Sequence, residues 1–209
     1  MANIVEKAIE RYMNGILPRR DSVLAEMELR ARRERIPIIG PAVGRLLALL
    51  VEMTGARRIF EMGSAIGYST IWLARAAGPR AEVHYTDGDP ARARDAQAYF
   101  RRAGVAKRIR VHVGDAVDLL GKTKGPFDLI FNDVDKHQYP AAFRKALPRL
   151  RRGGLLITDN SLWSGRVVGR AADADTRGVR EFNRLSYSSQ DLLSVIVPLR
   201  DGVMVSRKR

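Results

Sequence analysis

One stretch of the sequence decides the fold of this chain: Ile59-Phe60-Glu61-Met62-Gly63-Ser64-Ala65-Ile66-Gly67-Tyr68-Ser69-Thr70. Its apolar beginning predicts a buried parallel strand, and the apolar-periodic residues 71–74 that follow predict a helix. A strand that enters a helix through a glycine-containing turn brings the backbone close to a ligand and points free helix N–H groups at it. The stretch therefore predicts an α/β domain with a ligand site at this turn.

The glycine spacing in this turn argues against two kinds of nucleotide site. Gly63 and Gly67 form a G-x-x-x-G pattern with Glu61 two residues upstream, and Tyr68 stands where a G-x-G-x-x-G dinucleotide fingerprint needs its last glycine. The chain also contains no G-x-x-x-x-G-K-[ST] motif, so a nucleoside triphosphate site is not expected.

The bulk composition predicts one globular domain over residues 1–209. Hydrophobic residues make up 45% of the 209 residues, which is enough to bury a core. No apolar run approaches the roughly 20 residues that a membrane-spanning helix needs, and the first residues lack the pattern of a signal peptide. The absence of cysteine excludes disulfides, thiolate metal sites and cysteine catalysis. We therefore expect a cytoplasmic protein with no membrane partner.

The net charge of +14 leaves two interpretations open. Lysine and arginine number 37 against 23 aspartate and glutamate residues, which favours a polyanionic partner such as nucleic acid. The basic residues are, however, spread along the whole chain, and scattered surface arginine can simply reflect composition.

The order of the predicted elements indicates the architecture. Helices are predicted at residues 2–14, 21–35, 41–55, 90–103, 138–150 and 179–187. A further helix is predicted from the first glycine turn to about residue 77. Strands are predicted at residues 59–61, 82–87, 109–113, 127–131, 155–158, 193–198 and 203–206. The alternation predicts a doubly wound, Rossmann-like α/β fold with a mainly parallel seven-stranded sheet, closed by an antiparallel hairpin through Arg200-Asp201-Gly202. Residues 1–35 are expected to form a helical cover or part of a dimer contact.

Polar residues follow several of these strands, at the edge of the sheet where ligands of such folds bind. Asp87 closes the second strand, at a distance from Gly67 where an acid commonly binds the hydroxyl pair of a ribose. Asp133 follows the fourth strand and Asp159-Asn160 the fifth, one strand–helix–strand unit apart, so the two strand ends can lie side by side. Two carboxylates and an amide oxygen form an all-oxygen site suited to Mg²⁺, Mn²⁺ or Ca²⁺.

Three motifs resemble those of one enzyme family. The E-x-G-x-x-x-G pattern at residues 61–67 resembles the first motif of the Rossmann-like S-adenosylmethionine-dependent methyltransferases. The segments N-D-V-D-K-H-Q-Y at 132–139 and T-D-N-S-L-W at 158–163 resemble the V-D-A-D-K-x-x-Y and Y-D-N-x-L-W motifs of the cation-dependent O-methyltransferases. That family includes the caffeoyl-coenzyme A and catechol enzymes and many bacterial relatives. The resemblance runs from about residue 36 to the end of the sequence.

The resemblance implies S-adenosylmethionine as the cofactor and assigns residues to it. Glu61 would hold the methionine part and Asp87 the ribose. Further contacts to the cofactor are implied for Gly63, Ser64, Gly67, Ser69, Gly114, Asp115, Ala116 and Asp133. The segment 114–116 would face the adenine, although Asp115 is equally well explained as a helix N-cap.

The resemblance also implies a divalent cation, with Mg²⁺ expected first and Mn²⁺ or Ca²⁺ as alternatives. Asp133, Asp159 and Asn160 would be its ligands, and Lys136 would be the general base.

Three functions remain open from the sequence. The leading one is methyl transfer to a hydroxyl of a small hydroxylated aromatic, catechol-like acceptor. The second is the same chemistry on a hydroxylated uridine in tRNA, and the third is a non-catalytic nucleotide-binding protein on the same fold. We also expect a homodimer.

Overall fold

The computed structural model describes residues 5–170 and 173–209 and shows a seven-stranded sheet with helices on both faces. The strands are β1 Arg58–Met62, β2 Glu82–Asp87, β3 Ile109–Val113, β4 Phe127–Asn132, β5 Leu150–Thr158, β6 Leu192–Val197 and β7 Val203–Lys208. The helices are α1 Lys7–Gly15, α2 Ser22–Glu34, α3 Gly40–Thr54, α4 Tyr68–Ala76, α5 Pro90–Arg102, α6 Ala116–Lys122, α7 Tyr139–Ala146 and α8 Ala174–Ser188.

The sheet has the strand order β3-β2-β1-β4-β5-β7-β6. The first five strands in chain order pair in parallel, while β7 runs antiparallel to both β5 and β6. The predicted fold, a doubly wound and mainly parallel sheet with a closing antiparallel hairpin, is confirmed. Because the hairpin folds β7 back alongside β5, its turn lies at the edge of the sheet where β1 to β5 end.

Each face of the sheet is covered by its own apolar core. One core joins α2, α3, α4 and α5 to the sheet and includes the fully buried side chains of Leu47, Tyr85 and Phe100. The other joins α6, α7 and α8 and is built around Phe127 and Phe182. Burying rings of this size on both faces supplies most of the favourable free energy of folding and fixes the sheet as a rigid platform.

Aspartate caps begin several helices, as the sequence predicts for α2 and α5. The Asp21 carboxylate accepts hydrogen bonds from the N–H groups of Val23 and Leu24, and Asp89 accepts one from Ala91 at 2.7 Å. Such caps satisfy N–H groups that have no partner inside the helix. The cap role given to Asp89 is therefore confirmed.

Four elements differ most from the prediction. Helix α6 lies outside the predicted helices, α7 ends at Ala146 rather than near 150, β5 begins at Leu150 rather than at 155, and α8 begins at Ala174 rather than near 179. The side chains of Asp115 and Asp173 cap the first N–H groups of α6 and α8. For α8, this start lies inside residues 164–178, whose Gly, Ala and Asp content predicts a loop. The first helix spans Lys7–Gly15; residues 2–4 of the predicted helix and residues 171–172 of the predicted loop lie outside the described residues.

Helix α2 is tied to the first glycine turn by a buried polar network. The hydroxyl of Tyr68, the first residue of α4, donates a 2.8 Å hydrogen bond to Oε1 of Glu28. Arg20 holds the same carboxylate with two hydrogen bonds of 3.0 Å. The N-terminal helical segment therefore braces the residue that directly follows Gly67.

Helix α1 has no buried residue, and it leaves Ile9, Tyr12 and Ile16 exposed. The expected homodimer remains a prediction. No helix in residues 5–170 and 173–209 combines the length and the apolar character needed to cross a membrane.

Two histidines form a stacked pair near the edge of the sheet. The rings of His84 and His112 lie 5.2 Å apart at an angle of 3°, and Nδ1 of His84 lies 3.0 Å from Nε2 of His112. Burial lowers the pKa of His84, although the neighbouring Glu82 opposes this shift. Burial also lowers the pKa of His112, and the charge of His84 adds a smaller effect in the same direction.

This pair should make the folded state less stable in mild acid. As the pH falls below the ordinary histidine value of 6.5, the unfolded chain binds protons on these rings before the folded protein does, so stability should fall from pH 6.5 downward. The double variant His84→Phe/His112→Phe should flatten this loss when the melting temperature is measured from pH 8 to pH 5. His137→Gln, which changes an exposed ring outside the pair, should keep the wild-type slope. An unchanged slope in the double variant would show that the loss of stability in mild acid does not come from this histidine pair.

Candidate active site

A cavity of about 740 Å³ opens at the carboxyl ends of the parallel strands. Nine predicted site residues line it: Gly63, Asp87, Gly114, Asp115, Ala116, Asp133, Lys136, Asp159 and Asn160. The other four, Glu61, Ser64, Gly67 and Ser69, are buried behind this lining. The volume is in the range of sites for small molecules and cofactors.

Both glycines of the first turn have left-handed backbone conformations, and each is needed for close packing. A Cβ at Gly63 would lie 2.6 Å from the carbonyl oxygen of Asp133, and one at Gly67 would lie 2.4 Å from the ring of Phe100. Gly63 therefore lets the turn lie directly against the segment that follows β4. Gly67 contacts the protein core, so its conformation shapes the turn without reaching the cavity.

Glu61 lies wholly buried beneath this turn. Its Oε2 accepts a short hydrogen bond from the Thr70 hydroxyl, while Oε1 has no hydrogen-bond partner among the described residues. Burial raises the pKa of Glu61 to about 7, and the nearby hydroxyls of Ser69, Thr70 and Ser64 oppose part of this shift. An unpaired carboxylate oxygen at this depth is suited to receive a cationic group of a ligand.

Asp87 and Asp115 are held by hydrogen bonds on the wall of the cavity. The two oxygens of Asp87 accept backbone N–H groups of Ala65 and Asp89, each at 2.8 Å. Asp115 accepts the Asp118 N–H at 2.9 Å as the cap of α6, and its second oxygen accepts from Gln138 at 2.8 Å. The N-cap alternative for Asp115 is thus confirmed, and its contact with an adenine remains a prediction.

Asp133 and Asp159 meet because β4 and β5 end side by side. The parallel pairing of Asn132 with Thr158 places the next residue of each strand at the same level of the sheet. Burial and then the charge of Asp133 raise the pKa of Asp159 to about 7, although Arg200 donates to Oδ2 of Asp159 at 3.1 Å. Oδ1 of Asp159 is buried and has no hydrogen-bond partner among the described residues.

These residues fit a divalent cation by the chemistry of their donor atoms. Two adjacent carboxylates, one with an unpaired oxygen, and the neighbouring Asn160 amide supply only hard oxygen ligands. Within the described parts of the chain, no three histidine, aspartate or glutamate side chains converge into a metal-binding group. A cation here would therefore depend on the Asn160 oxygen as its third protein ligand.

Lys136 lies at the rim of the carboxylate pair, on the short 3-10 helix Lys136–Gln138. Its Nζ donates to Oδ1 of Asp133 at 3.0 Å and lies 5.4 Å and 5.7 Å from the ring centres of Tyr139 and Trp163. Helix α8 supports this position from behind, because Gly178 leaves room for the Lys136 carbonyl: a Cβ there would lie 2.2 Å from it. The lysine is thus confined beside the carboxylates.

Two residues that contact the site were interpreted from the sequence only as part of a hairpin turn. Arg200 pairs with Asp159, and Asp201 accepts hydrogen bonds from the side chain of Asn160 and the backbone of Ser164. The indication that could have found them is topological: a hairpin that returns antiparallel to β5 must place its turn beside the end of that strand.

The charge of the cavity is opposite in sign to that of the whole chain. Its described lining holds seven aspartates and three cationic side chains, Arg92, Lys136 and Arg200. The opposite ends of the parallel strands are rich in cations: Arg57, Arg58, Lys107, Arg108, Lys124, Arg151 and Arg152. The excess of positive charge therefore lies away from the cavity.

Strand order, antiparallel β7 and an acidic cavity beside the first glycine turn together define the class of Rossmann-like methyltransferases. Within that class, residues 21–209 match the O-methyltransferase family, and the chain belongs to it. The family and the enzyme class predicted from the three motifs are thereby confirmed.

Relatives and solved structures agree with this family. The chain is 36% identical over 175 residues to a catechol O-methyltransferase of Mycobacterium tuberculosis, covering 82% of this chain and 80% of the relative. It is 32% identical over 192 residues to a catechol O-methyltransferase of Niastella koreensis, covering 88% and 87%. The crystal structure of an O-methyltransferase from Bacillus cereus in complex with SAH superposes with a TM-score of 0.88 at 31% identity, covering 97% of each chain.

The buried Glu61 should make the cofactor-free protein less stable at higher pH. Its pKa in the folded protein lies above the ordinary 4.5, so stability is fully present below pH 4.5 and is lost as the pH rises through about 7. Glu61→Gln removes this ionisation, so its melting temperature should exceed that of the wild type by several degrees at pH 8 and approach it near pH 5. Glu52→Gln, on the exposed face of α3, should show no such difference. A lower melting temperature of Glu61→Gln at pH 8 would contradict this account.

Proposed function

We propose that this protein transfers a methyl group from S-adenosylmethionine to a hydroxyl of a small hydroxylated aromatic acceptor, with a divalent cation at the carboxylate pair. The observation that carries the proposal is the placement of Asp133, Asp159 and Lys136 around one end of the cavity. Membership of the O-methyltransferase family and the catechol O-methyltransferase names of the two relatives support this acceptor class.

The opposite end of the cavity is suited to the cofactor, which supplies an electrophilic methyl group when bound. The Bacillus cereus structure is a complex with SAH, which supports S-adenosylmethionine as the cofactor. Glu61 has an unpaired oxygen for the amino group of the methionine part, and Asp87 lies where a ribose would be held. The acidic lining also favours a ligand that carries positive charge at sulfur and nitrogen.

The carboxylate pair is the proposed place of the cation. Asp133, Asp159 and Asn160 would hold it, and when bound it polarises and orients the acceptor hydroxyl. Ionising a phenol with a pKa near 10 at pH 7 costs about 4 kcal/mol, so help with deprotonation is needed.

The protein's own side chains then position the acceptor and remove its proton. Lys136, whose Nζ lies 3.0 Å from the carboxylate of Asp133, would act as the general base on the acceptor hydroxyl. Trp163 lines the cavity and offers an aromatic face to a flat acceptor, whereas Tyr139 is fully buried and donates to the Asp159 carbonyl oxygen. Holding the acceptor oxygen in line with the methyl group can favour reaction by roughly 7–11 kcal/mol.

The charge of the cavity lining favours a small acceptor over tRNA. Seven aspartates in the cavity lining repel phosphate groups, and the cations at the amino ends of the strands lie at the opposite edge of the sheet from the reacting atoms.

Removing a carboxylate should abolish turnover, and removing Asp159 should preserve cofactor binding. Asp133→Ala and Asp159→Ala should each lower methyl transfer to catechol by about 100-fold or more, since the cation contributes several kcal/mol to stabilising the developing charge. Excess chelator should have the same effect on the wild type, and added Mg²⁺ should reverse it. Affinity for S-adenosylhomocysteine, measured by calorimetry, should stay close to that of the wild type in Asp159→Ala, whereas Asp133 is also an expected contact of the cofactor.

The control for this experiment is Asp191→Ala, which removes an exposed carboxylate at the opposite edge of the sheet. It should retain activity and the response to chelator. Full wild-type activity in excess chelator would show that the reaction needs no cation.

Salt distinguishes the small acceptor from RNA. A catechol releases no counterions on binding, so its KM should barely change between about 50 and 200 mM salt, whereas RNA affinity falls steeply over this range. The measurement is methyl transfer to catechol and to bulk tRNA at several salt concentrations. Salt-sensitive methylation of tRNA, without activity on catechol, would favour tRNA as the acceptor.

A further inference from the structure

The turn between β6 and β7, residues 198–202, is bonded to the loop that carries Asn160. Backbone N–H groups of Ser161 and Leu162 donate to the carbonyls of Gly202 and Asp201 at 2.9 and 3.0 Å. The carboxylate of Asp201 joins the same contact: Oδ1 accepts the N–H of Ser164, and Oδ2 accepts Nδ2 of Asn160 at 3.2 Å.

The loop held in this way is unusual in its backbone. Asn160, Trp163 and Ser164 have φ angles of 54°, 47° and 51°, in the left-handed region that side chains other than glycine seldom adopt. Three such residues within five positions need hydrogen bonds that hold the loop in this conformation. The carboxylate of Asp201 accepts one from Asn160 and one from Ser164. Asn160 is therefore held in two ways: through the backbone of its loop and through its side-chain amide.

An asparagine amide has two different sides, and only its surroundings decide which of them faces a ligand. An ionised carboxylate can only accept hydrogen bonds, so Asp201 attracts the NH₂ side of Asn160 and repels the oxygen. The oxygen Oδ1 then turns the other way and accepts no hydrogen bond from any described residue. Asn160 lines the cavity together with Asp133 and Asp159, where an oxygen suits a cation and an NH₂ group repels one.

We propose that Asp201 is a positioning residue that keeps the amide oxygen of Asn160 facing the cation site. The inference rests on the proposed function, because it concerns how that site is completed. Asp201 does not line the cavity and would act on the cation site through Asn160.

The isosteric variant Asp201→Asn separates this role from simple support of the loop. The backbone N–H of Ser164 can only donate, so the side-chain oxygen of the new asparagine must accept from it. The NH₂ group of the new asparagine then faces Asn160. Asn160 then reverses to offer its oxygen, and its own NH₂ points into the cavity. The loop keeps its bonds while the cation site loses one ligand.

The experiment measures Mn²⁺ affinity by calorimetry in the wild type, Asp201→Asn, Asn160→Asp and the double variant. Asp201→Asn should weaken Mn²⁺ binding about 10–100-fold, as expected when a group that orients a metal ligand is changed. The double variant should recover most of this loss, because a carboxylate at 160 presents oxygen on both sides and accepts from the new amide. Asn160→Asp alone opposes two carboxylates and should lower the melting temperature.

The melting temperature serves as the readout of the intact loop and should stay close to that of the wild type in Asp201→Asn, and affinity for S-adenosylhomocysteine should be unchanged. Wild-type Mn²⁺ affinity in Asp201→Asn, or no recovery in the double variant, would overturn the inference.

A second measurement tests the orientation of the amide without any cation. In ¹⁵N-labelled protein, the Asn160 side-chain resonance, identified by its loss in Asn160→Asp, should show a hydrogen-bonded, slowly exchanging proton that disappears in Asp201→Asn. If the wild type bound no Mn²⁺ while this change was seen, the proposed cation would be wrong and the orienting role of Asp201 would stand. An identical resonance in both proteins would overturn that role.

Discussion

The constraint on which this site depends is the placement of two aspartates side by side, Asp159 fully buried and Asp133 half-buried. They follow neighbouring parallel strands whose register pairs Asn132 with Thr158 and so brings the next residue of each strand to the same level. Desolvation and mutual repulsion raise the pKa of Asp159 to about 7, and Lys136 and Arg200 supply the nearest positive charge. A pair of this kind is unfavourable for folding alone, so its presence is understandable through the ligand that it can bind.

Much of the sheet could be predicted from the sequence, whereas some helix boundaries could not. Strands β2 and β3 have the predicted bounds, because each is rich in β-branched or aromatic residues and is followed directly by a glycine. Helix α6 has seven residues, about two turns, which is too short for a helical period to stand out from its surroundings. Strand β5 starts earlier than predicted because Gly153 and Gly154 lie inside it, at a place where its pairing with β4 shifts.

In the site as well, the residues placed by the local sequence could be predicted, whereas those placed by long-range strand pairing could not. Residues at the ends of parallel strands were found because the fold sends every such end to one edge of the sheet. Glu61, Ser64, Gly67 and Ser69 belong to the same motif, yet they lie behind the lining, since a turn has an inner and an outer side that sequence spacing does not distinguish. The roles of Arg200 and Asp201 depend on the antiparallel pairing of β7 with β5, which brings side chains 41 positions apart into contact.

The separation of charge between the two ends of the strands gives the molecule an electric dipole along the sheet. Its negative end is the opening of the cavity, and its positive end is the row of lysine and arginine side chains at the amino ends of the strands. Close to the opening, the negative lining favours the entry of a cation and disfavours phosphate groups, whereas the net positive charge governs the field at longer distance. The overall charge of +14 therefore does not predict the charge of the ligand that the cavity accepts.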